Sequence, residues 1–250
     1  MRRIVASIQV RMNSERLPGK VLREINGVPL LGYLIERLKM SKYIDEIIVA
    51  MPDTLENKPI INFCNNQKLN YFAGSENDVL NRMTGSLNSM NANIGVEVYG
   101  DCPLIDPQIV DYVIEEFINE EGTFDFIGND LSTSFPPGME VEVFKIDALM
   151  KANKLAADQS IREHGTLFIR QNPEIFKVKN VIAPKKWHSP ELEIEVDTKQ
   201  DFYVIKKILE NFNYDLEFSL EDIIQFLLKN PEITEKNSKI ERRWKVLRNE

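Results

Sequence analysis

Cysteine and histidine are both scarce in this chain of 250 residues. The two cysteines, Cys64 and Cys102, lie far apart, a spacing that supplies neither a metal quartet nor a redox pair. The two histidines, His164 and His188, lack the HxxxH spacing of a helical zinc site. No apolar run approaches the roughly 20 residues of a membrane span. Arg2 and Arg3 are not followed by a long apolar stretch or a cleavage site, so no signal peptide is read and the cytoplasm is the expected address. Positive charge is not in surplus. A net charge of −8 argues against a broad nucleic-acid surface, although a small anionic ligand needs only a local cluster of cations. Repeats and low-complexity segments are absent. So are several signatures of chemistry. Ser14 stands where a Walker loop needs its first glycine, and Val21 follows Lys20 where Ser or Thr is required. A dinucleotide fingerprint and a Gly-x-Ser-x-Gly elbow are also missing.

What is present describes an ordinary globular α/β protein, with 43% hydrophobic and 28% charged residues. Buried strands are expected near 4–10, 44–50, 69–72 and 94–99. Between them fall helical periodicities, as in Leu30, Leu31, Leu34, Ile35 and Leu38, with Glu36, Arg37 and Lys39 interspersed. Strands alternating with helices of about a dozen residues imply a mainly parallel sheet covered on both faces. The second half is less regular. Strands are expected at 124–127, 139–144, 175–182 and 192–196, and helices at 147–157, 162–170, 200–210 and 220–228. LEIEV at 192–196 alternates apolar and acidic residues, which suggests one polar face. One domain over 1–230 with an inserted arm around 130–175 is the simplest account. Residues 231–250 form a charged tail, and its Trp244 is expected to dock on another part of the molecule.

Three cations, Arg11, Arg16 and Lys20, follow the first strand within RMNSERLPGK, and Pro18-Gly19 marks a turn. Open α/β sheets bind ligands at that edge, and an Arg fork with a Lys point charge suits a polyphosphate. A solvated basic loop has the same spacing. Asp101, preceded by Gly100, ends an apolar strand, and Asp197 ends LEIEV. Together they would suffice for one magnesium ion, although Asp197 could equally cap the next helix, as could Asp106. Arg162, Glu163 and His164 are consecutive, so on a helix they splay over different faces.

IQVRMNSERLPGKVL, GSENDVLNR, GDCPLID, PPGMEVEVF, SIREHGT and LEIEVDTKQD, in this order and reaching to about Asn230, resemble the cytidylyltransferases of the SpsF type. These are relatives of the enzymes that make CMP-Kdo and CMP-sialic acids. The resemblance implies a three-layer, Rossmann-like α/β nucleotidyltransferase with an inserted dimerisation and acceptor arm, a homodimer using CTP and Mg2+. It implies that Arg11, Arg16 and Lys20 hold the triphosphate and act with Asp101 in catalysis. Gln9, Gly74, Ser75, Asp78 and Arg82 would form the nucleotide side. Asp101 and Asp197 would hold the metal. Asp106, Glu140, Glu142, Arg162, Glu163 and His164 would face a small anionic acceptor, a 3-deoxy-2-keto sugar acid, for surface or spore-coat glycan synthesis. Arg162 is the leading candidate for the acceptor carboxylate, and an ion pair with Glu163 or Glu142 is the structural alternative. The chain departs from the family pattern at Asn81, Pro137 and Lys199-Gln200. A glycosyltransferase-like or non-catalytic nucleotide-sugar binding protein is the rival reading; against the former, a DxD cluster is missing.

Overall fold

In the computed structural model, residues 2–120, 122–242 and 245 are described. Trp244 lies outside them. The chain forms β1 (Ile4–Gln9), a hairpin of β2 (Glu24–Ile25) and β3 (Val28–Pro29), α1 (Leu30–Leu38), β4 (Glu46–Pro52), α2 (Lys58–Gln67), β5 (Asn70–Gly74), α3 (Val79–Ser89), β6 (Ile94–Tyr99) and α4 (Pro107–Asn119). There follow β7 (Phe126–Gly128), β8 (Glu142–Lys145), α5 (Ile146–Leu155), α6 (Gln159–Arg162), α7 (Leu167–Gln171), β9 (Val178–Asn180), α8 (Lys199–Asn211), α9 (Leu220–Lys229) and α10 (Pro231–Thr234).

One seven-stranded sheet runs in the order β5-β4-β1-β6-β8-β7-β9. β5, β4, β1 and β6 are parallel, β8 is antiparallel to both neighbours, and β9 is parallel to β7. The chain leaves β1 toward β4 and β5, then returns to pair β6 on the opposite side of β1. That reversal opens a crevice at the C-terminal ends of β1 and β6, where α/β sheets take their ligands.

Strand alternation sorts the core into two layers. Ile4, Ala6, Ile8 and Val10 of β1, with Ile94, Val96 and Val98 of β6, face the larger layer built with α1, α4, α8 and α9. Val5 faces the smaller layer with Leu80, Met83, Phe144 and Leu149. The same parity turns Ser7, Gln9, Glu97 and Tyr99 toward α3, since Ser7 pairs with Glu97 and Gln9 with Tyr99 in register. Residues 130 to 175 supply β8 and α5–α7, and α5 packs against α3 over this smaller layer.

Two expected elements differ. LEIEV is not a sheet strand: Ile194 N–H donates to Pro137 O at 2.9 Å and Val196 N–H to Asp101 O at 2.8 Å, so loops rather than a neighbouring strand take its backbone donors. Its acidic face is not solvated either, because Glu195 is 7% exposed. The helix expected over 162–170 is interrupted between α6 and α7, around Gly165. The stretch beyond 230 packs onto the domain through Ile233, Asn237 and Arg242, all buried. Arg37 is buried too, its guanidinium donating to the carbonyls of Ile105, Leu216 and Phe218.

Candidate active site

The loop after β1 closes on itself. Ser14 and Gly19 N–H both donate to Met12 O at 2.9 Å, and Gly19 has φ +68°, a left-handed turn that glycine takes without strain. The fold carries Lys20 into a short 3-10 turn (Lys20–Leu22) facing the end of β6. Arg11, Arg16 and Lys20 all line one cavity of about 580 Å³ with Gln9, Asp101 and Asp197. The loop therefore forms one wall of this cavity.

Lys20 Nζ stands between two carboxylates, 2.9 Å from Asp101 Oδ2 and 2.8 Å from Asp197 Oδ1. Burial pulls the Lys20 ammonium down, yet Asp101 and Asp197 outweigh it and hold it above the usual lysine range. Arg16 also donates to Asp197, and to Glu241 O at 3.2 Å. Asp197 does not cap the next helix. That role falls to Thr198, in a capping box with Asp201. Asp201 Oδ2 in turn accepts from Asp197 N–H at 3.0 Å. Behind it, Asp201 Oδ1 accepts from Arg242 at 2.7 Å and from Asn237 at 2.9 Å. The last described residues thus brace the loop that carries Asp197.

The donor set suits a hard divalent cation. Two carboxylates converge on one cationic point, and magnesium takes few protein carboxylates, completing its octahedron with water and phosphate oxygens. Among the described residues no group of three or more His, Cys, Asp or Glu is arranged to hold a metal on its own.

On the far side of β1, Gln9 Oε1 accepts from Arg82 Nε at 3.0 Å, and Arg82 Nη1 donates to Ser75 O at 2.6 Å. Burial and the neighbouring Arg11 pull the Arg82 guanidinium down to about 10. Gln9 and Arg82 line the cavity, as do Glu76 and Asn77, whereas Gly74, Ser75 and Asp78 stand behind its wall. Asp78 caps α3 by accepting from Asn81 N–H, and its other oxygen binds Arg162.

The inner end of the cavity is lined by Glu97, Tyr99, Asp130, Thr166 and Arg170. Arg170 Nη1 lies 3.0 Å from Asp130 and 2.9 Å from Glu142. Glu142 is fully buried behind the wall and also accepts from Tyr99 OH at 3.0 Å and from Thr166 Oγ1. Burial, the charge of Glu142 and a hydrogen bond to it push the Glu97 carboxyl well above the usual range. Glu140, Glu163 and His164 line the cavity as expected, and burial holds the imidazole of His164 below its ordinary value.

Besides Glu142, two further expected acceptor residues do not line the cavity. Asp106 is 1% exposed and caps α4 through Gln108 N–H while accepting Leu220 N–H at 2.5 Å, so both its oxygens are engaged in structure. Arg162 is saturated by Asp78, Asn153 and Ala156, a structural ion pair, and its partner is neither Glu163 nor Glu142. Sequence reasoning missed Glu97, Asp130, Arg170 and Glu195. Glu97 carried a signal: one acid inside the apolar run IGVEVY of a parallel strand. Arg170 and Asp130 carried none, because they meet across 40 positions of chain.

Residues 5–240 match the model of a family described as cytidylyltransferase. The chain is 34% identical over 238 residues to an uncharacterized protein of Methanocaldococcus jannaschii, covering 95% of this chain and 96% of that one. It is 29% identical to the spore coat polysaccharide biosynthesis protein SpsF of Bacillus subtilis, covering 93% and 97%. Among solved structures, a cytidylyltransferase from Leptospira borgpetersenii superposes with a TM-score of 0.90 at 29% identity, over 97% of this chain and 100% of that one. A CMP:2-keto-3-deoxy-manno-octonic acid synthetase complexed with CTP has the same fold, with a TM-score of 0.62 at 17% identity over 84% and 99%. With a family model spanning nearly its whole length over this site, the chain belongs to the cytidylyltransferase family of nucleotidyltransferases.

Proposed function

We propose that this chain transfers CMP from CTP to a hydroxyl of a small sugar acid, with Mg2+, releasing pyrophosphate. The single observation carrying this reading is the meeting of Arg11, Arg16 and Lys20 with Asp101 and Asp197 in one cavity at the reversal of strand order. A triphosphate would draw Arg16 and Lys20 from the carboxylates they now neutralise. Asp101 and Asp197 would hold the magnesium ion, which supplies charge neutralisation on the phosphates when bound. Arg11, on the exposed side of the loop, widens the positive rim that CTP meets. Gln9 and Arg82 stand where the nucleoside would rest, on the α3 side of β1. The acceptor oxygen forms a bond to the α-phosphorus and loses its proton to water, while the bond from that phosphorus to the pyrophosphate oxygen breaks and pyrophosphate leaves. The chain's contribution is in-line positioning and stabilisation of the charge that develops on the phosphates. The acceptor class rests on the Kdo-type synthetase that shares the fold and on SpsF, whose name points to a surface polysaccharide.

The test is pyrophosphate release from CTP with a panel of 3-deoxy-2-keto sugar acids, with products identified by mass spectrometry. A CMP-linked sugar acid is expected, and Asp101→Asn should lower the rate at least about a hundredfold, the scale of losing one electrostatic group at the reacting phosphate. Turnover of CTP by Asp101→Asn at the normal rate, with an unchanged circular dichroism spectrum, would overturn the assignment of Asp101. Release with no sugar acid in the panel would overturn the acceptor class.

A further inference from the structure

We infer that the inner end of the cavity is a subsite for a protonated amine on the acceptor, remote from the reacting hydroxyl, with Glu97 as its anchor. This rests on the CTP-dependent reading above and deepens it. Glu97 is 2% exposed, yet its side chain lines the cavity, and beyond the carboxyl's contact with Glu142 its Oε2 has no hydrogen-bond partner. A buried polar oxygen left unmatched is costly unless a ligand completes it. The neighbouring chain is shaped around this carboxyl: a Cβ on Gly165 would fall 2.7 Å from Oε2 and 2.9 Å from Oε1. Only glycine at 165 leaves the Glu97 carboxyl where it stands.

The charge balance around it is acidic. Glu97, Glu142 and Asp130 share Arg170, which is already paired with the other two acids, and the Arg82 guanidinium, which also feels the charge of Glu97, is engaged by Gln9 and Ser75. His164, the other titratable base on this wall, is held toward its neutral form by burial. A second carboxylate arriving here would find no unengaged positive partner. An ammonium would find Glu97. In a 2-keto sugar acid the carboxylate sits on the reacting carbon, beside the magnesium and the basic loop, so the opposite end of the sugar is the part that reaches this acidic floor. With the cavity empty, the crowded acids keep a proton on Glu97. Binding of R–NH3+ would displace that proton to solvent and leave an ammonium–carboxylate pair, so one proton is released per acceptor bound.

The probe pair is 3-deoxy-manno-octulosonate and its 8-amino-3,8-dideoxy counterpart, which differ by one hydroxyl-to-amine change. With saturating CTP, the wild-type protein should favour the amine in kcat/KM by at least about tenfold, the scale of a charged hydrogen bond. In Glu97→Gln, an isosteric exchange for an already neutral acid, that ratio should fall to near one. Calorimetry in buffers of different ionisation enthalpy should record proton release with the amine in the wild type and not in Glu97→Gln. Equal use of the two acceptors by the wild type, or an amine preference that survives in Glu97→Gln, would overturn the subsite. Either result would leave the CTP reading intact, since both require turnover. Tight CTP binding without pyrophosphate release from either acid would instead count against the proposed acceptor class.

Discussion

Replacing Lys20 with methionine separates two roles that one ammonium fills. Its Nζ lies 2.9 Å from Asp101 and 2.8 Å from Asp197, and the three side chains are 13%, 28% and 16% exposed. At an effective dielectric near 20, each contact is worth roughly 5 kcal/mol before desolvation. Burying three charges offsets most of that, so removal should cost about 1–3 kcal/mol, less than for a fully buried pair. The loss has a specific form: Asp101 loses the cation it pairs with, and Asp197 keeps only Arg16. Lys20→Met should therefore melt lower than the wild type in buffer with a chelator. It should recover more than the wild type does when magnesium is added, because one competing cation, Arg16, is left on the carboxylates in place of two, and ligand binding stabilises by mass action. Turnover moves the other way. CTP affinity by calorimetry should weaken, and pyrophosphate release should fall at least about a hundredfold, since the triphosphate has lost its most enclosed cation. The reasoning is refuted if Lys20→Met turns over CTP within a few-fold of wild type, or if magnesium raises the two melting temperatures equally.

Arg16→Ala should weaken CTP binding, and unchanged affinity by calorimetry in both Arg16→Ala and Lys20→Ala would remove the loop from the triphosphate site. Arg242→Ala leaves Asp201 without its guanidinium and should cost about 3 kcal/mol, the scale of breaking a buried pair. It should also raise the KM for CTP, because Asp201 holds the backbone of Asp197. A lower melting temperature with an unchanged KM would make Arg242 structural only. The Glu97–Glu142 pair gives a pH signature. Burial raises both folded values above an unfolded glutamate, with the charge of Glu142 adding to it at Glu97 and that of Asp130 at Glu142, so the folded protein holds a proton that the unfolded chain has lost. Stability is then fully present below the unfolded value and falls as pH rises through the folded values, by a few kcal/mol in all. Thermal melts from pH 5 to pH 8 should show this decline, and Glu97→Gln should flatten it.

Local pattern determined much of this protein. Apolar runs and helical periodicity were enough to place β1, α1, β4 and β6, because burial on both faces of a parallel sheet demands continuous apolar strands. Spacing after a strand end marked Arg11, Arg16 and Lys20, the end of β6 marked Asp101, and Asp197 was marked from an expected strand that the structure does not form. These residues nevertheless line one cavity, because the end of β1 and the end of β6 lie side by side at one edge of the sheet. Side-chain pairing across long separations was decided only by the tertiary structure. The acids of LEIEV read as a solvated face, yet a guanidinium at position 242 buries with them and with Asp201. Arg162 read as a substrate clamp until α3 brought Asp78 to it, and Asp106 turned inward to hold Leu220. Glu97 was visible as an acid in an apolar strand, but its environment depends on Glu142 from an antiparallel neighbour and Arg170 from a helix. A one-dimensional pattern records what each residue prefers, whereas a buried charge is settled by whichever partner the packed chain brings within a few ångströms.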